Sequence, residues 1–369
     1  MSDQDDKPLL TFAVVGYNQE RFMREALEGT FSQTYSPLEI ILSDDCSNDR
    51  SFDIMSEMAA AYRGPHRVVL NRNESRLGLG GHINRVMELV RGELVLVASG
   101  DDVSLPQRVE VVCQAWQSDG KRATTVYSTF VTINEAGELL HAPPSPEFTG
   151  STLPLVVQTV VPREFVRDQL PAVTGCANAW SPQLFSTFGP LPTNIVYEDM
   201  AITFRSVLGG RILLVDVPLV KYRLHQKNLH SRIQHGSASI TSIRDDEASF
   251  QKKFERRAIM QAGFLADLET AHRQGILSEE EYGGSSNDAQ RLRDAFLLQS
   301  RYMNSGFLMK TWILCRLVRI SEGFVSWRAL LRRWMPVSLI LITKLGLSRL
   351  RSSAALLKPR RPAAKADGS

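Results

Sequence analysis

Apolar runs rich in β-branched residues recur along the first part of the chain, at Leu9–Val15, Leu38–Ser43, Arg67–Leu70, Glu93–Ala98 and Thr124–Val131. Each predicts a strand. Helical patterns separate them, at Glu20–Gln33, Ser51–Tyr62, His82–Arg91 and Pro106–Ser118, the second with Asp49 before it as a capping residue. Strands that alternate with helices predict an α/β fold, a mixed but mostly parallel sheet of the Rossmann-like kind with helices on both faces. Ligands of such sheets bind beyond the carboxyl ends of the strands, so the residues that follow each strand are the ones to read for chemistry.

Further along, Pro182–Phe188 and the stretch from Glu198 through Arg205 predict helices, and Ile212–Val215 and Leu219–Tyr222 predict strands. Between Thr132 and Val173 the chain is Pro-rich and irregular, and reads as a long binding loop. Ser239–Arg273 and Ser278–Met303 are helical and charged, with Gly283-Gly284-Ser285-Ser286 as a break. Then Ile313, Leu317, Ile320, Phe324, Trp327, Leu331 and Trp334 form one apolar stripe at alternating spacings of four and three, with arginines largely off it. The pattern divides the chain into 1–230 (a first half at 8–131 and a second at 132–230), a helical extension at 231–305, basic amphipathic helices at 306–357 and a disordered tail at 358–369.

Charge sharpens this division. The chain of 369 residues has a formal net charge of +3, but residues 301–369 hold 14 Lys and Arg against two acids, leaving −9 on the first 300. The basic end points to an anionic membrane surface or to docking on protein, either the first domain or a second subunit. No nucleic-acid motif accompanies it, so nucleic acid is not an expected partner. Its longest uncharged run, Trp334–Thr343, is too short for a spanning helix, which takes about 20 residues. The acidic start, MSDQDDKP, does not look like a secretory signal. The four cysteines are far apart, without metal-clip or disulfide-framework spacing, and fit a reducing cytoplasm.

Three strand ends are unusually polar: Gly16-Tyr17-Asn18, then Asp44-Asp45-Cys46-Ser47-Asn48-Asp49, then Ser99-Gly100-Asp101-Asp102. Asp, Asn and Ser at such places make turns and caps, but two adjacent Asp pairs exceed that need, and a crevice that gathers carboxylates suits a divalent cation with phosphates. A dinucleotide-binding glycine loop does not fit, since Gly78, Gly80 and Gly81 follow the third strand rather than the first.

The ordered series V-V-G-Y-N-Q-E, Q-T-Y-S-P-L-E-I-I-L-S-D-D-C-S-N-D and G-E-L-V-L-V-A-S-G-D-D resembles glycosyltransferase family 2, nucleotide-sugar transferases of GT-A fold, over roughly residues 8–230. The resemblance implies that Tyr17, Asn18 and the backbone at Val15 hold the nucleobase, and that Asp45 with Asp44 accepts from its ring. Asp101 and Asp102 match the D-x-D region, with Ser99 in place of its first acid, which implies Asp102 as metal ligand and Asp101 as ribose or metal contact for Mg²⁺ or Mn²⁺. Asn84 matches a recurrent Asn of the glycine-containing stretch, whose glycines let the backbone approach the donor. Ile83 stands where an Arg is usual, which leaves Arg76 or Arg85 for the diphosphate. Glu198-Asp199 corresponds to the pair that supplies the general base, here Asp199. Tyr222-Arg223-Leu224-His225-Gln226-Lys227-Asn228 resembles the element that closes such domains, with His225 toward metal and Arg223 toward phosphate. Trp180 and the irregular loop are left for the acceptor.

The function this implies is inverting, metal-dependent transfer of a sugar from a nucleotide-diphosphate donor to a saccharide or lipid-linked saccharide, in surface polysaccharide synthesis, by a protein peripheral on the inner face of the cytoplasmic membrane. A sugar nucleotidyltransferase and a non-catalytic nucleotide-sugar-binding scaffold are the alternatives, the first weakened by the absence of a Gly-rich basic signature after the first strand.

Overall fold

The computed structural model describes residues 7–140, 153–168, 173–225, 240–303 and 305–320. The Pro-rich segment from His141, the Gln226–Asn228 end of the closing element, the stripe positions Phe324, Trp327, Leu331 and Trp334, and the tail lie outside the described residues. The chain divides into two compact units, residues 1–231 with 256–293, and residues 232–255 with 294–369.

The first unit opens with β1 (Leu10–Gly16), α1 (Glu20–Phe31), β2 (Leu38–Asp44), α2 (Ser51–Ala61), β3 (Arg67–Arg72), α3 (Gly78–Leu89), β4 (Val95–Ser99), β5 (Val103–Ser104), α4 (Arg108–Ser118) and β6 (Thr125–Ile133). Each apolar run of this half becomes a strand, within two residues of its predicted ends; β1, β2 and β4 are buried on both faces, where a continuous apolar stretch is demanded, while β3 lies at the sheet edge and is partly exposed. The helices cover it through amphipathic faces: α1 buries Phe22, Met23, Ala26 and Leu27.

The chain continues through β7 (Leu155–Gln158), α5 (Pro162–Asp168), a 3₁₀ turn at Gly175–Ala177, β8 (Asn178–Trp180), α6 (Gln183–Phe188), α7 (Glu198–Gly209) and β9 (Ile212–Arg223). The strand order is β3-β2-β1-β4-β8-β6-β9-β5, with β7 added on β9. β3, β2, β1 and β4 are mutually parallel, and β8 runs antiparallel to both β4 and β6. The sheet is thus mixed and mostly parallel, as expected.

The differences have local causes. The two predicted strands after α7 are one strand, β9, whose register against β6 shifts between Ser128 and Phe130. The irregular segment contains β7 and α5, hidden in the sequence by flanking prolines and by their lengths of four and seven residues. β8 has three residues, too few to show any period.

After β9 come α8 (Ile240–Arg273), α9 (Glu279–Met303) and α10 (Phe307–Ile320). α9 runs unbroken through Gly283–Ser286. Gly284 lies beside the Arg163 side chain, which pairs with Asp288 one turn on, so the stretch expected as a break is part of a packed helix. In the second unit, Ile313 and Leu317 of α10 are buried with Ala295 and Tyr302 of α9, so the first two positions of the apolar stripe pack on the chain itself. No helix among the described residues is long and apolar enough to cross a membrane.

Candidate functional site

Register brings the polar strand ends together. Gly16 pairs with Asp44, and Val15 pairs with Ser43 on one side and Ser99 on the other. The ladder continues past the strands: Asp45 N–H donates to the Gly16 carbonyl at 2.9 Å and Gly100 N–H to the Val15 carbonyl at 3.1 Å. Val15 is therefore held within the sheet, with Tyr17 and Asn18 emerging just beyond it.

Asn18 adopts a φ of 53°, a left-handed conformation that Asn tolerates better than most residues. Its Oδ1 accepts from Asn48 N–H at 3.0 Å while its own N–H donates to Ser47 Oγ at 2.9 Å, which staples the β1 loop to the β2 loop. Asp44 accepts from Ser47 N–H at 2.8 Å and from the Ser47 hydroxyl, and so shapes the β2 turn from within the core. Asp45 accepts from Asn73 Nδ2, Leu77 N–H and Gly78 N–H at 2.8–3.0 Å, so it caps the start of α3. Tyr17 lies at the mouth with the Arg76 guanidinium 4.2 Å over its ring. Arg85, by contrast, pairs with Glu88.

The second acidic pair divides. Asp101 Oδ2 lies 2.9 Å from His225 Nε2, whose ring packs on Phe22. Burial pushes the Asp101 carboxyl up, but hydrogen bonds from His225, Ser99 and Gln19 outweigh it and hold the group below the ordinary carboxylate range. Asp102 turns inward: its Oδ1 accepts the Arg223 backbone N–H at 2.8 Å and it is hydrogen-bonded to the Cys176 thiol. Burial, and then the neighbouring Asp101 charge, push it up to about 7. Asp101, not Asp102, is the acid that meets the histidine. No group of three or more His, Cys, Asp or Glu positioned to hold a metal occurs among the described residues, so protein ligands alone make no closed cage.

Glu198 and Asp199 open α7, where a helix N-terminus favours acids. Asp199 Oδ1 accepts from Met200 N–H at 2.8 Å. Burial, followed by the Asp199 charge, raises the Glu198 carboxyl to about 8. Both side chains crowd Gly175: a Cβ there would stand 2.8 Å from Glu198 Oε1 and 3.7 Å from Asp199 Cβ. Adjacent residues of one turn thus meet the two acidic pairs, Gly175 against Glu198–Asp199 and Cys176 against Asp102.

Three expected contacts are placed elsewhere. Asn84 gives its amide to the backbone of Leu191, and Gly80 admits the Pro192 carbonyl where a Cβ would lie 2.3 Å from it. The glycine-containing stretch accordingly grips the segment leading into α7. Arg223 is buried, with Nε donating to the Asp101 carbonyl at 2.9 Å, Nη1 to the Asn134 and Glu135 carbonyls, and Nη2 paired with Glu25; its guanidinium is committed to internal acceptors rather than to a phosphate. Trp180, expected at the acceptor side, is 1% exposed within β8, its indole N–H directed at Met87 Sδ, which makes it a core residue.

Residues not anticipated from the sequence support the site: Gln19, which donates to Ser99 Oγ at 3.0 Å and holds Asp101, and Arg108, buried beneath Asp102 with Nη1 on Ser104 and Nη2 on the Val97 carbonyl. Arg108 lies in a predicted amphipathic helix, and nothing in helix periodicity marks an inward-facing guanidinium.

Residues 11–157 match the family model of glycosyl transferase family 2. Over these residues the chain is a glycosyl transferase family 2 domain. An uncharacterised protein of Mycobacterium tuberculosis is 26% identical to the chain over 219 residues, covering 58% of this chain and 59% of its own length. An uncharacterised glycosyltransferase of Methanocaldococcus jannaschii is 27% identical over 142 residues, 38% of this chain and 48% of that one. Among solved structures, S. aureus TarS 1–349 in complex with UDP superimposes with a TM-score of 0.50 at 14% identity, covering 85% of this chain and 89% of that chain. The family 2 domain accordingly has the GT-A fold, followed by the helices α8–α10.

Proposed function

We propose that the chain is an inverting, metal-dependent glycosyltransferase that moves a sugar from a nucleotide-diphosphate donor to a hydroxyl of a saccharide or lipid-linked saccharide, in surface polysaccharide synthesis at the cytoplasmic face of a membrane. The observation that carries the reading is the Gly175–Ala177 turn, whose Gly175 meets the acid pair of α7 and whose Cys176 meets Asp102 at the sheet end, one acidic pair suited to a base and the other to the cation that accompanies a diphosphate.

The nucleobase enters between the β1 and β2 loops, with the Tyr17 ring as its wall and Arg76 beside it. Asn18, Asp44 and Asp45 fix those loops by local hydrogen bonds, which preorganises the wall at no cost on binding. Asp101 and His225, hydrogen-bonded to each other here, would hold Mg²⁺ or Mn²⁺ through a carboxylate and an imidazole once that bond is exchanged for the metal. The bound ion would neutralise the charge of the departing diphosphate. Asp102, braced on Arg223 and Cys176, keeps the strand end in place.

Burial and the neighbouring Asp199 charge favour the protonated form of Glu198, which leaves Asp199 as the member of the pair to act as base. Asp199 takes the proton of the acceptor hydroxyl as its oxygen bonds to the anomeric carbon and the bond to the diphosphate breaks. One displacement inverts the anomeric centre, and no second nucleophilic carboxylate is required.

A thermal-shift panel of nucleoside diphosphates and nucleotide sugars, with and without Mn²⁺, tests donor binding, because a ligand of the native state raises the midpoint. Asp199→Asn should retain that shift and lose transfer by about 10²–10⁴-fold. Absence of any Mn²⁺- or Mg²⁺-dependent shift across the panel overturns the reading.

A further inference from the structure

α10 has two faces. Ile313 and Leu317 point inward to Tyr302 and Ala295 of α9. At 100° per residue, Leu308 and Trp312 lie well round the helix from this pair, with Met309 and Arg316 on the flank between, and all four are exposed: Leu308 by 82%, Met309 by 52% and Trp312 by 49%. A helix that has already buried one apolar face ordinarily turns polar residues outward, so a second apolar face of this size marks contact with something else.

We propose that this outward face of α10 docks on an anionic lipid surface. Two observations favour lipid over protein. Arg316 lies 5.1 Å over the Trp312 ring, which joins an interfacial aromatic to a cation at one point of the surface. The helix Phe307–Ile320 carries no acid, its exposed Arg316 stands on this flank while Lys310 is buried over Tyr302, and residues 301–369 hold 14 basic residues against two acids. Anionic headgroups complement that charge, whereas a second copy would bring the same positive excess to the same patch. The face differs from the predicted stripe, whose first two positions are occupied internally. The inference rests on the membrane placement proposed above only for its biological sense, since lipid binding needs no sugar transfer.

The full chain is sedimented with vesicles of equal phosphatidylglycerol and phosphatidylcholine, and with phosphatidylcholine alone. Binding to the first at least ten-fold above the second is expected, with Leu308→Glu/Trp312→Glu and the uncharged Leu308→Ser/Trp312→Ser each lowering it at least ten-fold. Melting temperature and nucleotide-induced shift should stay as in the wild type, because the substituted side chains are exposed. Three results overturn the proposal: a wild-type chain that ignores anionic vesicles, Ser variant binding as well as wild type, or light scattering that finds a dimer which the Ser variant dissociates. Loss of nucleotide shifts in the wild type, with vesicle binding intact, would instead strike the proposed transferase function.

Discussion

The side-chain amide of Asn84 holds Leu191 in both directions, Nδ2 donating to its carbonyl at 2.8 Å and Oδ1 accepting its N–H at 2.7 Å. Leu191 lies in the segment that runs into α7, so a residue of α3 fixes the approach to Glu198 and Asp199. Asn84→Ala leaves two backbone groups unpaired, which costs about 1–3 kcal/mol each where water is excluded and less where it enters. Calorimetric unfolding should show a loss of at least about 1 kcal/mol, and kcat should fall more than KM rises, because the donor contacts lie elsewhere. Asn84→Asp keeps the acceptor and loses the donor, and is expected between the two.

The same segment is fixed from its other side. Arg205 of α7 donates to the Gly189 and Pro190 carbonyls and forms a buried ion pair with Asp267 of α8, its Nε 3.1 Å from Oδ2. Arg205→Met strands a buried carboxylate and should destabilise by about 3–5 kcal/mol in chemical denaturation. The double change Arg205→Met/Asp267→Leu should recover much of that, since the unpaired charge is gone, but not the activity, because the carbonyls at 189 and 190 still lack their donor.

How far the sequence could be read follows from range. β1, β2 and β4 were visible as continuous apolar runs because each is buried on both faces, and their shared register alone is enough to set Tyr17, Asp44 and Asp101 at one edge of the sheet. What escaped depends on partners far along the chain. Arg223 ends a strand two residues before His225, the sequence position of a phosphate ligand, yet its guanidinium is held by Glu25, nearly two hundred positions earlier. Trp180 stands in a stretch too short for periodicity, and only its pairing with Val95 and Thr125 shows it to be core. Asp101 and Asp102 are adjacent in a turn, and the sequence gives no means of telling which carboxylate faces His225.

Glu198 lends itself to a pH experiment. Its carboxyl titrates near 4.5 in an unfolded chain and near 8 in the folded one, through burial and the Asp199 charge. Between these values the native state binds a proton that the unfolded state has released, so this group's contribution to stability falls as pH rises, by at most about 1.4 kcal/mol for each unit crossed. Glu198→Gln mimics the protonated form and removes the dependence. Melting temperatures of the two proteins should coincide below about pH 4 and diverge as pH rises toward 8, with the variant the more stable. Transfer by the variant at pH 7 should remain within about ten-fold of wild type, in contrast to Asp199→Asn.

Gly175 provides the sharpest test of the turn between the acidic pairs. A methyl group there would stand 2.8 Å from Glu198 Oε1, so Gly175→Ala must displace that side chain or the turn itself. If the side chain yields, the damage runs through Glu198, and Gly175→Ala/Glu198→Ala should be no worse than Glu198→Ala alone. If the turn yields, Cys176 moves with Gly175, and Asp102 loses a hydrogen-bond partner whatever occupies position 198. The double-mutant cycle separates these through the sign and size of the coupling, expected at about 0.5–3 kcal/mol for groups in contact. We expect the first outcome, because a carboxylate at the end of two rotatable methylenes shifts more easily than a turn whose Ala177 N–H is bonded to the Thr174 carbonyl at 3.0 Å. Nucleotide-induced thermal shifts should then persist in Gly175→Ala while transfer falls, placing the loss on the acceptor side of the reaction.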